Sequence, residues 1–412
     1  MSRLDLTLRN ARLADGGGPV DIGVMGARIA AIEPQLPPAG EDHDLGGRLV
    51  TAGLIETHIH LDKACILDRC PAGSDLGAAI AGVSAAKAGF TEEDVAERAS
   101  RVLRKAIGWG TTRMRTHVEV DPVIGLRGLE GVIAAASTHD WGVDVEICVF
   151  PQEGMTDRPG VEALLIEGLR RGAKLIGGAP YTDANPRGQI DRIFEIARAF
   201  DVDIDLHLDF SLDAAILDAD YVAQKTEAFG WGGRVAIGHV SKLSALPPAQ
   251  FEAAAKRLAA AGVAVTVLPS TDLFLMGRDR DHTIPRGIAP AHRLAAAGVN
   301  CSISTNNVLN PFTPYGDCSL IRMANLYANA AQIGDPASLS LCLDMISSRA
   351  ARLLNHADYG LAPGNPADMV VFDAADPASV IAELAPPLMG FKNGRRSFTR
   401  EPVRLHDPGA SQ

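Results

Sequence analysis

The sequence predicts an α/β fold, a (β/α)8 TIM barrel with a β-sandwich built from both chain termini. Three observations predict it. Eight short β-branched runs alternate with longer Ala/Leu/Arg/Glu-rich stretches of helical spacing. The two ends share another texture, short alternating runs broken by Gly and Pro. With 412 residues, 47% of them hydrophobic and 22% charged, the chain can fill a barrel of ~250 residues plus a smaller unit.

The strand-like runs are 54–60, 111–117, 143–150, 173–179, 202–208, 234–239, 263–268 and 299–304. Helical spacing occupies 91–107, 124–138, 160–171, 188–200, 214–229, 248–261, 286–297 and 318–332. Such alternation reads as parallel βα units, and eight of them suggest a closed barrel. At the ends, LDLTLRNARL and DIGVMGARIAAIEP are matched in texture by GLAPGNPADMVVFD and PLMGFKNGRRSF. The pairs Asp15-Gly16, Pro363-Gly364 and Asn393-Gly394 suit tight strand connections. Each end alone is too small to bury a core. Residues 1–52 and 356–412 are therefore expected to form one sandwich flanking a barrel over 53–355.

Thirty-nine basic against fifty acidic residues give a net charge of −11, which argues against a nucleic-acid partner. No apolar run approaches the ~20 residues of a membrane span. The opening MSRLDLTLRN lacks the apolar stretch of a signal peptide. Cysteines 65, 70, 148, 301, 318 and 342 form no CxxC pair and read as reduced thiols of a cytoplasmic protein.

Active sites of such barrels lie at the C-terminal strand ends. The polar residues there are His58 and His60, His117, Gln152, Tyr181, His207 and Asp209, His239, Thr271 and Asp272, and Asn306 and Asn307. His58 and His60 stand two apart on one strand and so face the same way. Two imidazoles from one strand and a third from across the barrel leave a coordination position open, which is how a catalytic divalent metal is held.

Six segments carry a resemblance: GLIETHIHLDK (53–63), RTHVEVD (115–121), FPQEGM (150–155), DIDLHLD (203–209), GHVSKL (238–243) and NNVLNPFTPYGD (306–317). With YGLAPGNPADMVVFD (359–373), they resemble the amidohydrolase superfamily, in its cytosine deaminase-like branch that includes N-isopropylammelide amidohydrolases. The resemblance implies a hydrolase of C–N bonds in a small nitrogen heterocycle and one divalent metal ion, whether zinc, iron or manganese. It implies His58, His60 and His207 as metal ligands and His239 as the group that holds or deprotonates water. Gln152 would bind the ring's amide edge, and Phe150 and Phe312 would wall the substrate. Asn307 joins the expected substrate contacts, and a homo-oligomer is expected by analogy.

Two positions depart from the family pattern. Phe210 stands where the deaminases carry a proton-shuttling Glu, and Asn306 where they carry a metal-binding Asp. Asparagine offers a carbonyl oxygen but accepts no proton at neutral pH. Three readings remain open: catalysis with His239 or Asp209 moving the proton, a different C–N hydrolysis such as cyclic-amide opening, or a non-catalytic heterocycle binder. Lys174 begins its strand, so no lysine bridges two metals and a mononuclear centre is expected. Lys63 is expected as a rim cation that holds an anionic substrate group or pairs with Asp62. Glu119 and Asp121 are expected to bond loop amides, and His117 to orient a ligand. Arg278 and Arg280 read as a solvated charge run or part of a lid.

Overall fold

The structure, a computed structural model, describes residues 3–406. Residues 1, 2 and 407–412, which the expected sandwich includes, lie outside the described residues. Five strands precede the barrel: β1 (Leu6–Ala11), β2 (Val20–Met25), β3 (Arg28–Glu33), β4 (Glu41–Asp44) and β5 (Val50–Ala52). The barrel strands are β6 (Leu54–Ile59), β7 (Thr111–Glu119), β8 (Asp144–Phe150) and β9 (Leu175–Gly178), then β10 (Asp203–Leu208), β11 (Val235–His239), β12 (Val263–Val267) and β13 (Cys301–Ile303). Three more follow: β14 (Met369–Phe372), β15 (Pro387–Lys392) and β16 (Arg395–Thr399).

Strands β6 to β13 pair in chain order, each parallel to the next. Their almost fully buried sequences suit strands covered on both faces. The sheet closes where Ile59 bridges Asn306 in parallel. Asn306 N donates to His58 O and His60 N donates to Asn306 O, each at 2.9 Å. The closing seam thus sets Asn306 against both histidines of the first barrel strand.

The termini form two further sheets, ordered β3-β2-β1-β4 and β16-β15-β14-β5. Leu8, Ile22 and Val24 of the first share a buried cluster with Val50, Met369 and Phe391 of the second. Both chain ends therefore build one core, as a β-sandwich requires. β1 pairs β4 in parallel, so the first sheet is mixed. Between β15 and β16, Asn393 (φ 50°) and Gly394 (φ 74°) both take left-handed conformations, which a two-residue type I′ turn demands. A Cβ on Gly394 would stand 2.4 Å from Gly26 O. Lys392 Nζ joins Asp368 at 2.7 Å to Asp144 at 2.6 Å, tying the sandwich to the start of a barrel strand.

Most expected helices are present, among them Glu92–Gly108, Pro186–Phe200 and Pro248–Ala261. Helix Leu76–Lys87 was not foreseen, because its Ala- and Gly-rich sequence has no apolar stripe of helical period. Helix Pro269–Leu275, directly after β12, likewise lies outside the expected helical segments. No helix among the described residues is long and apolar enough to cross a membrane. All six cysteines are free thiols.

Candidate metal and active site

The histidines at the barrel's C-terminal rim converge. His207 Nε2 lies 3.0 Å from His58 Nε2 and 3.0 Å from His60 Nε2, and all three rings are buried. His60 Nδ1 donates to His117 O at 3.2 Å, which leaves the lone pair on Nε2, pointing at His207. Burial first, and neighbouring cationic groups second, hold all three imidazoles well below their ordinary pKa, so they are neutral. A single proton on His207 Nε2 can satisfy one of its two neighbours, not both. Asn306 Oδ1 and Asp272 Oδ2, also buried, have no hydrogen-bond partner among the described residues. This is an excess of lone pairs over protons, and it fits a cation with metal–nitrogen distances of ~2.0–2.1 Å.

Glycine makes room for the cluster. A Cβ on Gly238 of β11 would come within 3.0 Å of His58 Cε1 and 3.1 Å of Nδ1, so only glycine lets the ring lie against this strand. Behind the cluster, His117 stacks on His58 with centroids 3.9 Å apart. Its Nε2 is 3.4 Å from Asp205 Oδ1, and Asp205 is held by Arg115 at 2.9 Å. Burial raises the Asp205 carboxyl, but His117 and Arg115 outweigh it and the net pKa is lowered.

Strand alternation would aim Asp209 inward two residues after His207, yet Asp209 takes φ 51° and turns the chain. Its carboxylate caps helix Asp218–Phe229 instead, accepting from Asp218 N at 3.1 Å and Ala219 N at 2.9 Å. This corrects the expectation that Asp209 moves a proton. Phe210 takes the inward position and stacks on His239 at 3.8 Å. The group that does reach His239 is Asp272, whose Oδ1 is 2.7 Å from Nδ1. Asp272 stood among the strand-end polar residues, but no motif marked it as His239's partner.

The small cavity at this rim is lined by His60, His207 and His239 with Phe210, Phe312 and Tyr181, and by Lys63, Gln152, Thr271, Asn306 and Asn307. Phe150 does not line it. As the last residue of β8 it fills the barrel interior, stacked 4.6 Å from His207. In place of the expected Phe150 and Phe312, the aromatic lining is Phe312 with Phe210 and Tyr181, and Phe150 backs His207.

Lys63 is buried rather than on an open rim, and Asp62 is not its partner. Its Nζ is 2.5 Å from Glu119 Oε1 and 3.0 Å from Gln152 Oε1. Asp62 Oδ2 instead accepts from Glu119 N at 2.9 Å. Glu119, expected to bond loop amides, lies between Lys63 and Lys87. Asp121 does bond loop amides, from Val123 N at 2.7 Å and Ile124 N at 3.1 Å, and also pairs with Lys87. Arg278 is exposed and lies over the Phe274 ring, 4.7 Å from its centroid.

Comparison with known proteins agrees with this geometry. The amidohydrolase family model matches residues 126–397. The N-isopropylammelide isopropyl amidohydrolase of Pseudomonas sp. (strain ADP) is 29% identical over 95% of this chain and 96% of its own. The pterin deaminase of Rhizobium rhizogenes is 28% identical over 87% of this chain and 84% of its own. The crystal structure of 5-methylcytosine deaminase from Klebsiella pneumoniae with 5-fluorocytosine superposes with a TM-score of 0.92. That match has 25% identity and covers 98% of this chain and all of the other. The chain belongs to the amidohydrolase family, in the cytosine deaminase-like branch of its superfamily. It is a hydrolase of non-peptide C–N bonds.

Proposed function

We propose that this enzyme hydrolyses a C–N bond in a small planar nitrogen heterocycle, by loss of an exocyclic amine or by opening of a cyclic amide. The observation that carries the reading is His207 Nε2 set 3.0 Å from both His58 Nε2 and His60 Nε2, beside the His239–Asp272 pair. His58, His60 and His207 would hold one divalent ion, zinc, iron or manganese, with Asn306 Oδ1 beside them. Bound there, the ion supplies Lewis-acid polarisation and a nucleophile at neutral pH.

The protein's own groups do the rest. Asp272 fixes the proton on His239 Nδ1, so Nε2 is the basic nitrogen available to take a proton from water and return it to the leaving nitrogen. Phe210 and Asn306 can neither take up nor release a proton at neutral pH, which leaves His239 as the proton carrier. Lys63, Gln152 and Asn307 orient the ring, and Phe312 and Phe210 supply apolar walls. On this reading the described residues of 1–52 and 356–412 form the sandwich domain and 53–355 the catalytic barrel. The enzyme works in the cytoplasm as a homo-oligomer.

Elemental analysis of the purified chain, together with a screen for ammonia release and loss of ring absorbance over heterocycles, tests the proposal. Stoichiometric metal and turnover abolished in His60→Ala are expected. Metal-free protein that is stabilised by a heterocycle but never consumes it would leave the non-catalytic binder.

A further inference from the structure

The polarity of the cavity's amides is fixed by residues outside it. Asn310 Oδ1 accepts from Phe312 N at 3.0 Å and Thr313 N at 3.2 Å, so its other terminus must be the nitrogen. That Nδ2 donates to Asn307 Oδ1 at 2.7 Å, and Asn307 is left with Nδ2 for the cavity. Gln152 is fixed in the same way, because an ammonium only donates. Lys63 Nζ takes Gln152 Oε1 at 3.0 Å, and Gln152 Nε2 stays buried without a partner among the described residues. Lys63 itself lies 4.6 Å from the Phe312 centroid, beside any ring packed on that wall. Among the described residues that line the cavity, one carries an ammonium and none carries a carboxylate.

From this arrangement we infer that Lys63, Gln152 and Asn307 form a donor-only edge that selects a heterocycle presenting oxo groups or a ring anion on that side, and that Asn310 is the positioning residue setting Asn307's polarity. The inference rests on the heterocycle reading above and narrows its substrate class. A site whose buried donors need acceptors rejects a ring that offers N–H groups there, since donors on both sides stay unpaired. Lys63, whose charge is offset by buried Glu119 at 2.5 Å, adds a charge-assisted donor to that edge.

Calorimetric titration of the full chain with barbiturate, a ring anion at neutral pH, against neutral uracil and amino-bearing cytosine tests the inference. Barbiturate is expected to bind at least about tenfold more tightly than either. Lys63→Met should abolish that preference, and Lys63→Arg should keep part of it. Asn310→Asp leaves only acceptors against Asn307, whose amide then turns its oxygen to the cavity. The barbiturate-to-cytosine affinity ratio should fall several-fold while the fold is retained. Asn307→Asp, which leaves the buried turn intact, should lower the same ratio even if Asn310→Asp does not fold. Equal affinities for the three rings, or a ratio unmoved by both Lys63→Met and Asn307→Asp, overturn the inference. Discrimination among these rings by a metal-free chain that consumes no heterocycle, by ammonia release or by loss of ring absorbance, would instead sink the hydrolase reading and leave this one standing.

Discussion

His239 Nδ1 lies 2.7 Å from Asp272 Oδ1, with both side chains buried and the ring face covered by Phe210. Burial raises the Asp272 carboxyl, and the imidazole beside it works against that rise. The carboxylate's service to the ring is to hold one tautomer. Asp272→Asn removes the acceptor at Nδ1 and is expected to lower kcat by about 10²–10⁴-fold while KM changes little. Steady-state kinetics on any turned-over ring check this, and an unchanged kcat removes His239 from the proton path.

Asn306→Asp places a carboxylate beside the three imidazoles in place of a neutral amide. Metal affinity, read by competition with a chromophoric chelator, is expected to rise about tenfold or more. An unchanged affinity would mean that residue 306 does not face the ion.

Gly238→Ala puts a methyl group within 3.0 Å of the His58 ring. The expected result is folded protein whose metal dissociates about tenfold faster, because one ligand is pushed off its position. Circular dichroism and metal-release kinetics separate this outcome from general unfolding.

Asp94 anchors the loop that carries Lys63. It pairs with Arg69 and Arg98, and Arg98 Nη1 donates to Asp62 O and Ala64 O, each at 2.8 Å. The Arg69 guanidinium beside it, aided by Arg98, lowers the carboxyl from 3.8 to about 2. A depressed folded pKa means the stabilisation is complete above pH 3.8 and is lost as pH falls through about 2. Asp94→Asn should cost about 1 kcal/mol at neutral pH, after allowance for solvent screening. The gap in unfolding midpoint between variant and wild type should close as pH falls towards 2, and a constant gap would assign the effect to packing.

The barrel was legible because parallel strands and their helices write two different periods into the sequence, and HxH at the end of β6 announced the buried histidine cluster. What stayed hidden depended on single backbone angles and on long-range partners. Asp209 and Phe210 exchange roles through one positive φ, which no residue pattern there encodes. Asp272 and His239 are 33 residues apart, and their contact arises only when neighbouring strand ends meet. Lys63 finds Glu119 rather than adjacent Asp62 because the ends of β6 and β7 lie side by side, a pairing that sequence adjacency does not reveal. Helix Leu76–Lys87 escaped notice for lack of amphipathic contrast, although it delivers Lys87 to the same buried charge network.

Asp209, His239 and Asn306 take φ of 51°, 68° and 64° at the ends of three barrel strands, each at a cost of about 1 kcal/mol for a residue with a side chain. Every one of these bends sits where regular pleating stops and a side chain is aimed. The rim is thus built from backbone pivots standing on a regular cylinder, each turning the chain at its own strand end. Chemistry on this scaffold can diversify one strand end at a time, while the wall beneath stays unaltered.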